Sequence, residues 1–108
     1  MLKLFDMDED LRLLSKEEIE GKLKEFPGWD YHDDKISKQF EFKSFNDAVE
    51  FINKLAPFCN RIDHHPDIHI YYKKILFDLQ RFSVGGKVTN RDFTVAKEIE
   101  RLYLENNV

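Results

Sequence analysis

Cysteine is nearly absent: Cys59 is the only one in 108 residues. That excludes a disulfide within the chain and any zinc site built on several thiolates. Long apolar runs are missing as well. No stretch approaches the roughly eighteen residues that a membrane-spanning helix needs. There is no basic excess, since 17 Lys and Arg face 21 Asp and Glu for a net charge of −4. This argues against direct nucleic-acid binding, because neutralising phosphates takes clustered Lys and Arg. With four glycines and three prolines the chain has no Gly/Pro-rich linker, and no internal repeat. The amino terminus, "MLKLFDMDED", turns acidic after its first residues and lacks a secretory pattern, so a cytoplasmic location is expected.

Apolar residues are plentiful by contrast. They make up 42% of the chain and include ten Phe, enough for one buried core. The length fits a single domain over residues 1–108, with 1–13 read as an extension in which Leu2, Leu4 and Phe5 are the groups able to pack.

Periodicity orders the elements. "SKEEIEGKLKEF" opens a helix, because Ser15 and Glu18 have capping-box spacing and Ile19, Leu23 and Phe26 share a face. Pro27 and Gly28 stop it. "WDYH" and "ISKQFEF" read as a hairpin joined by "DDK"; Ile36, Phe40 and Phe42 fall on one face, with Lys38 the exception. Trp29 is read as a core anchor. Ser44 then caps a strong helix whose apolar stripe is Phe45, Ala48, Val49, Ile52, Leu55, Ala56 and Cys59. Pro57 predicts a kink or break near Leu55. Two further strands, "DIHIYYK" and "KILFDLQRF", precede a loop holding Gly85 and Gly86. The last helix starts after Thr89 or Asn90 and presents Val95, Ala96, Ile99, Leu102 and Tyr103. The order α-β-β-α-β-β-α predicts an α+β fold: a four-stranded antiparallel sheet with three helices packed on one face. An open sheet edge invites pairing with a second copy.

The chemistry concentrates in "RIDHHPDIHIYY", residues 61 to 72. Pro66 pushes His65 toward extended backbone, where neighbouring side chains point to opposite sides. One of His64 and His65 is therefore expected to face a cleft while the other packs. A metal site needs three converging ligands, and no HExxH helix or second histidine cluster supplies them; no metal is expected. Acid/base work needs less, since imidazole exchanges protons near neutral pH, with Asp63 or Asp67 able to hold a tautomer. Each histidine alone also fits a polar strand start, and His32 and His69 fit it best. Asp92, in the first turn of the last helix, fits the helix dipole.

These motifs in this order resemble the pterin-4a-carbinolamine dehydratases: "PGW", the spaced Phe40, Phe42 and Phe45, then "DHHP", Tyr72 six residues after the proline, and Arg91 to Ala96 as "RDF-x-x-A". The resemblance spans Leu14 to Leu102. It implies the same α+β fold in a homodimer or homotetramer. It also implies a metal-free and cofactor-free dehydration of 4a-hydroxytetrahydropterin to quinonoid dihydropterin in tetrahydropterin recycling, with a pterin as the small-molecule substrate. His64 and His65 match the family's first two site histidines, His64 as an acid/base residue and His65 as its binding or acid/base partner. Asn60, Asp63, Pro66, Phe82 and Asp92 fall at substrate-binding positions. The chain departs from the family twice. Phe82 stands where a later histidine, sometimes tryptophan, is usual, and no histidine follows His69; Asn60 stands where a charged residue is usual. Phenylalanine transfers no proton, so the resemblance also admits a catalytically weak or silent pterin-binding or dimerisation-cofactor-like protein.

Overall fold

In the computed structural model the described residues are 12–80 and 87–106. The expectations for Leu2, Leu4, Phe5, Phe82 and the Gly85–Gly86 loop lie outside them. Helix α1 (Lys16–Leu23) is followed by β1 (Asp30–His32) and β2 (Lys35–Glu41), then α2 (Phe45–Ile62), β3 (Asp67–Tyr71), β4 (Lys74–Leu79) and α3 (Asn90–Asn106). The strands pair antiparallel in the order β1-β2-β4-β3, and the helices cover one face, as the periodicity predicts. Ile36, Ile75, Phe77 and Leu79 point into the core and are fully buried.

The local signals explain most boundaries. Ser15 and Glu18 form the expected reciprocal cap on α1, with Oγ accepting from Glu18 N–H at 3.1 Å and the Glu18 carboxylate accepting from Ser15 N–H at 3.0 Å. The helix ends at Leu23 rather than Phe26, because Lys24, Glu25 and Phe26 each donate to the carbonyl three residues back. That tightened turn still delivers Phe26 to Phe93, with ring centroids 5.3 Å apart. In the β1–β2 turn Asp33 and Asp34 have φ of 50° and 61°, the left-handed pair that a two-residue hairpin takes. Leu13 pairs with Thr89 and Leu14 N–H donates to Val88, so the chain ahead of α1 is already tied to the domain.

Two expectations for α2 need correction. The helix runs unbroken through Pro57. Proline deprives the carbonyl four residues back of its partner, but that carbonyl belongs to Asn53, which is exposed along with Pro57 and so can bond water. The buried stripe is Ala48, Phe51, Leu55, Cys59 and Ile62, while Phe45 stays 49% exposed and Ala56 lies outside. The helix is apolar over a wide arc, and periodicity alone does not say which half meets the sheet.

Lys38 is an exception with a cause. From the core face of β2 its Nζ reaches Glu100 at 2.6 Å and the Pro27 carbonyl at 3.0 Å. Gly28 makes room for it: φ is +89°, and a Cβ there would sit 2.9 Å from Lys38 Cε. Gly28→Ala is expected to cost about 1–3 kcal/mol, from the left-handed backbone and the displaced lysine together. A urea midpoint unchanged from wild type would refute this.

Candidate active site

The site starts where α2 stops. Asp63 adopts left-handed backbone (φ 53°), its N–H donates to Asn60, and His64 N–H donates to Cys59 at 3.1 Å. These are the paired bonds of a Schellman turn, which reverses the chain sharply. The turn and Pro66 together send adjacent histidines to different places, as extended backbone predicts.

His64 goes inward. It is 4% exposed, and its Nε2 meets Oδ1 of Asp92, which has no exposure at all. The other oxygen of Asp92 accepts from Thr89 N–H at 2.9 Å. Asp92 thus caps α3 and holds His64 with one carboxylate. The expectation for Asp92 is substrate binding; in the structure both of its oxygens are engaged within the protein and the group has no exposure. Arg91, also buried, donates from Nη1 to the Ile62 carbonyl at 2.8 Å and fastens the start of α3 to the end of α2.

His65 goes outward. It is exposed, and its Nε2–H donates to Asn60 Oδ1 at 2.9 Å. An amide oxygen only accepts, so the ring carries its hydrogen on Nε2 and leaves Nδ1 as the proton-exchanging atom. Asn60 therefore acts on the histidine through Oδ1. Beside the pair runs a groove of about 130 Å³ lined by Ile52, Leu55, Ala56, Cys59, Asn60, His65, Pro66 and Ile68. Burial foremost, and then Glu98, pushes the Cys59 thiol up to about 11, so it stays protonated at neutral pH.

Asn60, Asp63, His64, His65, Pro66 and Asp92 thus gather at one corner, where α2 ends and α3 begins. Phe82 lies outside the described residues. Sequence reasoning missed Thr89, Arg91 and the apolar groove wall. The capping spacing from Thr89 to Asp92 was a usable signal for the first; nothing local marks the groove, whose walls come from α2 and β3.

His69 belongs elsewhere. It lies on the helix-free face of β3, where Nε2 meets Asp78 at 3.1 Å. Ser37 donates to the same carboxylate at 2.5 Å, and Lys35 approaches within 3.6 Å. These groups offset the repulsion between Asp78 and Asp67, which sit directly opposite each other across the strands. Burial by itself raises the Asp78 carboxyl, but Ser37, Lys35 and His69 together hold it below its ordinary 3.8. A depressed native pKa contributes stability that is fully present above the unfolded value and lost as pH falls through the native one. Wild type is therefore expected to exceed Asp78→Asn in melting temperature above about pH 4 and to lose that advantage in more acid buffer. Equal pH dependence of the two melting curves would contradict it.

Among the described residues no three His, Cys, Asp or Glu side chains converge as metal ligands would, and no helix is long and apolar enough to cross a membrane.

Comparison with known proteins bears on this corner. A family model described as "Pterin 4 alpha carbinolamine dehydratase" matches residues 12–102. A protein of Sulfolobus acidocaldarius named "Putative pterin-4-alpha-carbinolamine dehydratase" is 42% identical over 89 residues, covering 82% of this chain and 97% of its own. One of the same name from a Picosynechococcus strain is 40% identical, covering 82% and 96%. Among solved structures, a "transcriptional coactivator/pterin dehydratase" from Brucella melitensis superposes with a TM-score of 0.79 at 28% identity, covering 84% of this chain and 98% of that one.

Proposed function

We propose, on the premise that this chain belongs to the pterin-4-alpha-carbinolamine dehydratase family, that it dehydrates 4a-hydroxytetrahydropterin to quinonoid dihydropterin through acid/base chemistry at the His64–His65 pair. One observation carries the reading. Two adjacent imidazoles are each fixed through Nε2 by a partner on a different helix, Asp92 for His64 and Asn60 for His65. The exposed His65 ring keeps Nδ1 for a proton, with the buried His64–Asp92 pair behind it. Loss of the 4a-hydroxyl needs a proton delivered to the leaving oxygen and another removed from N5, which is work suited to imidazole. The apolar groove beside His65, which Pro66 helps to line, offers a surface for a flat heterocycle.

In this reading the chain is a cytoplasmic hydro-lyase of tetrahydrobiopterin recycling that works as a homo-oligomer. The edge strand β3 supports the last point: Ile70 is 40% exposed and Tyr71 55%, along backbone with no partner strand on that side among the described residues, and Tyr72 in the turn that follows is 72% exposed. A second reading, a silent pterin-binding or dimerisation-cofactor-like relative, is favoured by Phe82 at the position of the later family histidine. The dehydration rate with substrate generated in situ separates the two. A rate clearly above the spontaneous one supports the enzyme; a rate equal to it, with pterin still bound, supports the silent relative.

A further inference from the structure

We infer that His65, aimed by Asn60, performs both proton transfers of the dehydration in succession, and that the His64–Asp92 pair is a buried buttress behind it. The inference rests on the dehydratase reading above and assigns the residues within it. A proton-transfer group must come within about 2.6–3.2 Å of the atom it serves. His64 is 4% exposed and already bound to a carboxylate in the interior, whereas His65 is exposed and opens on the groove. Among the described residues no other group in the groove can share the work at neutral pH. Ile52, Leu55, Ala56, Pro66 and Ile68 do not titrate, Asn60 is neutral, and the Cys59 thiol keeps its proton. Position 82, where a second histidine would be expected, is phenylalanine. Among the described residues one exchanging atom is left, Nδ1 of His65.

One atom suffices because the two transfers are consecutive. The protonated ring gives its Nδ1 proton to the 4a-oxygen. The C4a–O bond breaks with its electron pair on oxygen, and water leaves. The N5 lone pair closes a C4a=N5 double bond, giving a cationic iminium. Nδ1, now neutral, removes the N5 proton, and its own charged form is restored. Substrate yields quinonoid product and one water, with no redox change. Oxygen and N5 are attached to the same carbon, so a small tilt of one ring reaches both. Asn60 is then a positioning residue: its oxygen holds Nε2–H and keeps Nδ1 turned to the ligand.

The test is the pH dependence of kcat/KM for the full chain, corrected for the spontaneous reaction. A single imidazole that must start protonated gives a plateau at low pH and one falling limb at high pH, whereas separate acid and base groups give a bell. The titratable neighbours of His65 are Cys59 in the groove and Asp63, His64 and Asp67 along the chain. Changing Asn60 isolates His65 from these. Asn60→Asp sets a negative charge on Nε2–H and is expected to move the limb up by on the order of one pH unit. Asn60→Ala is expected to lower kcat roughly three- to tenfold, the worth of one neutral hydrogen bond, with KM little changed. Asn60 is exposed, so both variants are expected to fold. A bell in an active wild type, or a limb that Asn60→Asp does not move, overturns the inference and leaves the dehydratase reading standing. A wild type no faster than the spontaneous reaction overturns both.

Discussion

His65→Ala is expected to slow dehydration by about 10²–10⁴-fold, the usual cost of losing a general acid or base. The fold should be unaffected, because His65 is exposed and, among the described residues, its side-chain bond joins it to an exposed asparagine. The loss should fall on kcat more than on KM. Pro66, Ile52, Leu55 and Ile68 keep the groove in shape without the imidazole. His64 stands one residue away and cannot take over, since its Nε2 is held by Asp92 and its ring is sealed in the interior. Steady-state rates with circular dichroism on the same samples check this. A variant that keeps more than about a tenth of wild-type kcat would remove His65 from the chemistry.

The largest effect on stability is expected at Asp92. Asp92→Ala should cost about 3–5 kcal/mol, because it leaves two buried donors unsatisfied. It leaves the His64 ring and the Thr89 N–H without their acceptor in a region closed to water. The loss of the cap on α3 is part of that figure. Total stability for a domain of this size is of order 5–15 kcal/mol, so the loss is a large fraction of the whole. Asp92→Asn keeps the shape and one acceptor oxygen, and should cost clearly less than alanine. Urea unfolding of the three proteins measures the series. If alanine and asparagine cost the same, the carboxylate charge alone holds His64 and the remaining acceptor oxygen contributes nothing. Because Asp92 links the site to α3, a fall in activity beyond the unfolded fraction would mark its hold on the histidine turn.

Some of this was legible in the sequence for local reasons. Capping at Ser15 and Ser44, the alternation of Ile75, Phe77 and Leu79, and the stop at Pro27–Gly28 depend on residues a few positions apart, and they place all seven elements in order. The histidine motif was legible in the same way, including the prediction that backbone ahead of Pro66 turns its two rings apart. Sequence could not say which ring goes inward. That depends on Asp92, 28 residues downstream of His64, and on the packing of α3 against the end of α2. Nor could it find the half of α2 that meets the sheet, since Phe45, Val49, Ile52 and Ala56 are as apolar as the residues that are buried. Lys38 looked like an error of alternation until Glu100 stood opposite it, 62 residues away. Amino-acid order alone determined the elements and the family, because caps, periods and motifs are short-range. Tertiary structure alone decided which histidine is sealed and which is free, because burial belongs to the packed globule and not to any segment of the chain.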